Sequence, residues 1–158
     1  MAVPTPPNPL TLIMPLRQGA DLGQLQGLLA SHQEAINTAL GAVGTVHYAR
    51  FVVLDASSPN LQPLANSTGP FQLAVITTYD GNFDMYIQDF VQQLPDVFDA
   101  LLGFTTDGAG LVPARDNVSQ LTAWIKANDA SQQPPNSLLS QYAAYPYTVQ
   151  AILAEQGS

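Results

Sequence analysis

Two of the few basic side chains of this protein lie in the stretch VHYARFVVLD, at residues 46–55. His47 is one of two histidines and Arg50 is one of three arginines. An imidazole can act as a general acid or base or bind a metal ion, and a guanidinium can anchor a carboxylate or an enolate. The stretch is rich in β-branched and aromatic residues, which is typical of a β-strand. These two residues are therefore the first candidates for chemistry.

The spacing of His47 and Arg50 predicts separate roles. Side chains alternate between the faces of a strand, so two residues three positions apart lie on opposite faces unless a bulge intervenes. His47 is expected to share its face with the apolar core positions, where a neutral, hydrogen-bonded histidine is the simplest interpretation. Arginine is almost never buried without a partner. Arg50 therefore needs a carboxylate, for which Asp80 and Asp55 are candidates, or an anionic ligand.

Three more side chains complete the predicted polar lining of a ligand site. Tyr48 is predicted to share the face of Arg50 and to donate a hydrogen bond to the same ligand. Tyr79 and Asp80 end the stretch TTYDG, which leads from a strand into a helix. Capping of that helix would explain a carboxylate at Asp80, and catalysis is the alternative. We predict the ligand-binding residues to be Arg50, Tyr48, Tyr79, His47 and Asp80.

A metal or haem site is an alternative for the two histidines. His32 lies on the apolar stripe of the first predicted helix. If His32 and His47 met between helix and sheet, their imidazoles and Asp80 would resemble a two-histidine, one-carboxylate metal triad. A single histidine would instead bind haem iron. No motif requires a cofactor, so none is predicted, and haem or iron on His47 or His32 stays open.

Composition narrows the class of partner. The 158 residues suit one domain, and four basic against twelve acidic residues give a net charge of −8. Nucleic-acid binding is not expected, because the chain has no basic stripe to neutralise phosphates. A membrane span is not expected either, since the longest apolar run, at 10–16, has only seven residues. No cysteine is present and no signal peptide is evident, so we predict a cytoplasmic protein without disulfides.

The hydrophobic periodicity predicts one domain over residues 10–158, after a flexible proline-rich N-terminus at 1–9. The predicted strands and helices alternate along it, with Pro95 expected to kink or split the second long helix. The strands are expected at 10–17, 45–55, 71–81 and 138–146, and the helices at 20–40, 82–103, 115–129 and 148–156. Thr148 is expected to cap the last of these helices.

This order predicts an α+β domain with a ferredoxin-like βαββαβ arrangement. It consists of one antiparallel sheet with the main helices on one face, and of extra C-terminal helices. The predicted strands look apolar on both sides, so the free face of the sheet must be covered. A second copy of the same sheet is the simplest cover, and we therefore expect a homodimer.

Three short blocks resemble a family of largely uncharacterised bacterial proteins related to the dimeric α/β-barrel proteins. They are VHYARFVVLD, AVITTYDG with the following FDMYIQDF, and YAAYPYTVQAILAE. The family carries a VHFARF-type strand, a TNYDG-type strand end and a YxGYPG-type C-terminal segment. This chain departs from the last pattern, with Ala144 and Tyr147 where the family has glycine. The resemblance implies a small-molecule site, because dimeric α/β-barrel relatives include cofactor-free oxygenases and haem enzymes.

Three functions are compatible with these patterns. The first is a small-molecule-binding protein, or more specifically a cofactor-independent enzyme of the dimeric α/β-barrel kind. Its pocket would lie between sheet and helices, with the long loop at 56–70 as a lid. The second is a non-catalytic binding or assembly module, and the third is a haem- or metal-binding protein using His47 or His32.

Overall fold

The computed structural model describes residues 7–139, 145 and 147–157, and its fold is α+β. Within this part of the chain the structure has three strands and six α-helices. The strands are β1 (Asn8–Pro15), β2 (Val46–Asp55) and β3 (Phe71–Tyr79). The helices are α1 (Leu22–Ser31), α2 (Gln33–Val43), α3 (Phe83–Gln93), α4 (Pro95–Phe104), α5 (Val118–Asn128) and α6 (Val149–Gln156).

The described strands form one antiparallel sheet in the order β1-β3-β2. β1 and β2 run in the same direction with β3 between them, and α1 and α2 connect them. A complete four-stranded βαββαβ sheet is not shown. Most of the predicted last strand at 138–146 lies outside the described residues, and Asn136–Leu138 at its start forms a short 3₁₀ turn instead.

Loops, not a further described strand, hydrogen-bond the outer edge of β1. The backbone N–H of Thr11 donates to the Asp129 carboxylate at 3.0 Å. The backbone N–H of Thr106 donates to the Pro15 carbonyl at 2.9 Å. A buried strand edge needs such partners because unpaired backbone groups are costly away from water. The chain therefore satisfies this edge with segments that come after α4 and α5.

The helix boundaries differ from the prediction in two places. The helix predicted at 115–129 begins at Val118, because Ala114–Asp116 forms a 3₁₀ turn. The periodic stretch at 20–40 forms two helices, because His32 ends α1 and begins α2. The His32 Nδ1 lies 2.9 Å from the Leu28 carbonyl oxygen and 3.1 Å from the Ser31 hydroxyl. The predicted split at Pro95 is confirmed, since proline is the first residue of α4, where its missing N–H is not needed.

The hydrophobic core lies between one face of the sheet and the helices. Its most deeply buried side chains come from both layers and include Leu25, Leu73, Val91, Leu121 and Ile125. Every second residue of each strand contributes to it, as the alternation of a strand requires. The opposite face, which we call the open face, keeps Tyr48 69% and Ile76 42% exposed.

Candidate functional site

A β-bulge at His47 changes which side chains of β2 face the core. Val46 pairs with Tyr79, but Tyr48 pairs with the next residue of β3, so His47 is an extra residue in its strand. Val46 belongs to the core, whereas His47 lies with its ring centroid 6.1 Å from that of Tyr145. The bulge breaks the alternation on which the prediction for His47 rested, because Val46 packs in the core together with Ala49 and Phe51.

Asp80 contacts His47 and the first residue of α6. The His47 Nε2 lies 3.0 Å from the Asp80 Oδ1, and the backbone N–H of Val149 donates to the Asp80 Oδ2 at 2.8 Å. The prediction that Asp80 caps the helix after it is wrong. Asn82 caps that helix, accepting a hydrogen bond from the Met85 N–H at 3.1 Å. Asp80 instead satisfies the positive end of α6, which lies far away in sequence.

Two tyrosines adjoin this pair. Tyr145 forms a hydrogen bond with Tyr48, and this bond raises the pKa of Tyr145. We call His47, Asp80, Tyr48 and Tyr145 the His47 cluster. An imidazole oriented by a carboxylate is an arrangement that general bases use. The His47 side chain is only 4% exposed, however. A structural role, in which His47 and Asp80 connect the sheet to α6, explains this burial as well as catalysis does.

Arg50 does not pair with either predicted carboxylate. Asp80 is engaged with His47, and Asp55 accepts hydrogen bonds from the Ser57 hydroxyl at 2.6 Å and the Ser57 N–H at 2.9 Å. These bonds hold the pKa of Asp55 below its usual range. Arg50 is exposed because its side chain alternates onto the open face, beside Ile76, so water solvates its charge. No ion pair joins Arg50 to any of the residues that the structure describes.

Tyr79 lies on the core side of the sheet, away from Arg50. Its ring stacks on that of Tyr86 with the centroids 4.5 Å apart and the planes 5° from parallel. Burial raises the pKa of Tyr79. The five predicted site residues thus divide among the His47 cluster, the exposed Arg50 and the buried Tyr79, and they do not converge on one pocket.

A partly enclosed apolar cavity of about 90 Å³, which we call the inner cavity, lies between the sheet and the helices. None of the five predicted residues lines it. The hydroxyl-bearing side chains among its described lining residues are Thr77 and Tyr86, whose oxygens lie 3.1 Å apart and bond to each other. Burial raises the pKa of Tyr86 to about 12. The sequence analysis did not predict either residue as part of a site. For Tyr86 a signal was present, because it lies next to Ile87 on the apolar side of a strongly periodic helix.

A larger open groove of about 660 Å³ runs between α1, α2 and the edge strand β2; we call it the edge groove. It adjoins the inner cavity, because four residues line both: Ile36, Leu40, Ala49 and Phe51. Pro63, from the loop predicted as a lid, also lines this groove. Arg50 is the only charged residue among those described residues that line it.

The predicted metal triad is not assembled. His32 lies at the junction of α1 and α2 and bonds to the Leu28 carbonyl, while His47 contacts Asp80 at the start of β2. Among the described residues, no three or more histidine, cysteine or acidic side chains group in a way that could hold a metal ion. In the same part of the chain, no helix is long and apolar enough to cross a membrane.

Comparison of the chain with protein-family models, curated sequences and solved structures finds no significant match. The resemblance to a bacterial family related to the dimeric α/β-barrel proteins therefore stays a prediction. Function has to be inferred from the fold and from the geometry of the inner cavity and the edge groove.

Proposed function

We propose that the protein binds a small apolar molecule in the inner cavity. The observation that carries this proposal is a partly enclosed space of about 90 Å³ lined by core side chains. Protein interiors contain few voids larger than a water molecule. At about 24 cal/mol per Å³, such a void destabilises the fold by about 2 kcal/mol. An apolar ligand would restore the missing contacts.

The chemistry of the wall favours an apolar ligand over water. A buried water needs two to four polar partners, and the hydroxyls of Thr77 and Tyr86 already bond to each other. Nearly all other described lining residues are aliphatic or aromatic. Small aromatic or branched aliphatic molecules fit that wall. The edge groove supplies a route, because it shares part of its lining with the cavity and opens to solvent.

The cavity supports binding better than catalysis. Tyr86 is the only titratable side chain among the described residues that line it, and a phenol with a pKa of about 12 stays neutral at physiological pH. The His47 cluster, which has the groups of a general base, does not line the cavity. We therefore favour a carrier or sensor of an apolar molecule over a cofactor-independent enzyme.

Calorimetric titration with toluene tests this proposal in the wild-type protein and in two variants of one strand. Val75 lines the inner cavity, so Val75→Phe fills it, whereas Ile76→Phe places the same ring on the open face. We expect saturable binding by the wild type and by Ile76→Phe, and at least roughly tenfold weaker binding by Val75→Phe. Circular dichroism verifies that both variants fold. Absent binding by the wild type, or equal binding by Val75→Phe, would refute the proposal.

A second candidate function, an assembly module, is favoured by the open face. Tyr48 and Ile76 are exposed there, beside the partly buried Ile13, Val52 and Leu54. Arg50 is the only charged side chain among the strand residues that alternate onto this face, and it lies on the edge strand β2 beside Ile76. We propose that a second copy covers this face in a homodimer, with the two Arg50 guanidiniums at the solvated rim of the interface.

A further inference from the structure

The outer edge of β2 has no strand partner among the described residues. The N–H and C=O of one strand residue point to the same edge, and successive residues point to opposite edges. The Asp55 N–H donates to the Leu61 carbonyl at 2.9 Å, in the loop that lies away from β3. By alternation, Ala49, Phe51 and Val53 also direct their backbone groups away from β3.

The pairing of β3 gives the same result independently. The Phe71 carbonyl accepts a hydrogen bond from the Leu16 N–H at 2.9 Å, on the β1 side of the sheet. The backbone groups of Leu73, Val75 and Thr77 therefore also point to β1, since they follow Phe71 at steps of two. Their cross-strand neighbours on β2 cannot bond to them. These neighbours are Val53, Phe51 and Ala49, whose backbone groups therefore point to the outer edge.

The two edges of the sheet differ in how many of their backbone groups are hydrogen-bonded by loops. Asp129 and the loop after α4 hydrogen-bond the outer edge of β1. On β2, the loop bonds only at Asp55, and no hydrogen bond from a described residue reaches the outward backbone groups of Ala49, Phe51 or Val53. Natural proteins usually cover or charge such an edge. An uncovered edge beside a groove is a feature that peptide-binding domains use.

The edge groove lies along this row. Ala49, Phe51 and Val53 line it from the strand side, and apolar residues of α1 and α2 line it from the other side. Three side-chain amides, of Gln26, Gln33 and Asn37, also line it and form no hydrogen bond with a described residue. The groove thus pairs a strand edge with an apolar floor and free amides.

We propose that the edge groove binds an extended apolar peptide of a partner protein, which adds a strand to β2 and bears a carboxylate near Arg50. Three outward residues at alternate positions match an extended backbone, whose own groups repeat at about 6.8 Å. The row from Ala49 to Val53 accommodates a segment of about five residues. Arg50 is the only charged residue among the described lining residues, so an acidic peptide is favoured over a basic one.

Fluorescence polarisation with labelled hexapeptides tests the proposal on the full chain. The panel alternates threonine with valine, leucine or phenylalanine and ends in aspartate with a free carboxylate. Each peptide has a matched form that is N-methylated at every second residue, which removes the N–H donors that would face β2 and keeps the apolar side chains. We expect at least one peptide to bind saturably, and its N-methylated form to bind roughly tenfold or more weakly. On binding, the amides of Ala49, Phe51 and Val53 should become protected from hydrogen exchange.

Two variants distinguish the contribution of backbone hydrogen bonds to peptide binding from the contribution of the Arg50 charge. Val53→Pro removes an outward N–H without touching the bonds to β3, so it should weaken binding while the fold persists. Arg50→Gln should weaken binding of the aspartate-ended peptide several-fold but leave unchanged the binding of the same peptide ending in asparagine amide, which has no carboxylate.

Three outcomes would overturn the proposal: no binding by any peptide of the panel, equal binding of the N-methylated forms, or protection of the same amides by self-association without peptide. The second would make the groove an apolar small-molecule site, and the third would assign the edge to a second copy.

Discussion

At the scale of single residues, Tyr86 couples the inner cavity to the stability of the fold. Burial raises its pKa to about 12, whereas the unfolded chain ionises tyrosine near pH 10. The unfolded state alone therefore loses this proton between about pH 10 and pH 12. The contribution of Tyr86 to stability is fully present below pH 10 and is lost as the pH rises through that window.

We predict that the free energy of unfolding of the wild type falls by up to about 1.4 kcal/mol per pH unit in this window through Tyr86. Urea titrations between about pH 9 and pH 11.5 measure it. Tyr86→Phe should flatten this decline and leave a smaller dependence from Tyr79, whose pKa burial also raises. Tyr147→Phe is the control, because Tyr147 is exposed. An unchanged slope in Tyr86→Phe would contradict the prediction.

At the scale of elements, Asp80 is a joint between the sheet and α6. None of the residues of α6 is buried, so its attachment depends on a few polar contacts. Asp80 accepts the Val149 N–H, and the Gln150 side-chain amide donates to the Gly44 carbonyl at 2.7 Å. A carboxylate at a helix N-terminus also favours the helix dipole.

Replacing Asp80 by alanine should therefore loosen α6 and leave His47 unpaired. We predict a loss of about 1–2 kcal/mol of unfolding free energy and faster hydrogen exchange of the α6 amides. Asp84→Ala is the matched control. The Asp84–Lys126 pair, at 2.7 Å, is more than half exposed on both sides, so its loss should change stability by less than about 1 kcal/mol. Equal effects of the two variants would argue against the joint.

Local patterns predicted the elements better than their assembly. The strands at β2 and β3, the split at Pro95 and the cap at Thr148 are encoded by neighbouring residues, and the structure has all of them. The bulge at His47 is not encoded locally, because a bulge is defined by the register against β3. The partner of Asp80 is likewise missed, since Val149 lies 69 positions away. A pocket between sheet and helices was predicted, but its hydroxyl-bearing residues, Thr77 and Tyr86, were not.

At the scale of the whole molecule, the homodimer proposed through the open face predicts a mass in solution. We predict that the wild type sediments at twice the chain mass of 16.8 kDa and that Ile76→Lys sediments as a monomer. The physical reason is that a lysine at the centre of an apolar interface would be desolvated without a partner. Analytical ultracentrifugation at micromolar concentration measures it.

Leu64→Lys is the control for the dimer, because Leu64 is 66% exposed but lies in the loop after β2 and not on the open face. It should leave the mass unchanged. A monomeric wild type would remove the assembly module from consideration without affecting the inner cavity or the edge groove.

The loops that hydrogen-bond the outer edge of β1 also set an order of events during synthesis. Thr11 and its partner Asp129 are 118 positions apart, and the Ser131 hydroxyl donates to the Pro9 carbonyl from 122 positions away. Contacts of such separation slow folding, because a long loop must close before they form. β1 therefore leaves the ribosome long before its edge can be completed. A nascent chain that stalls before Asp129 would expose that strand to aggregation and to chaperones.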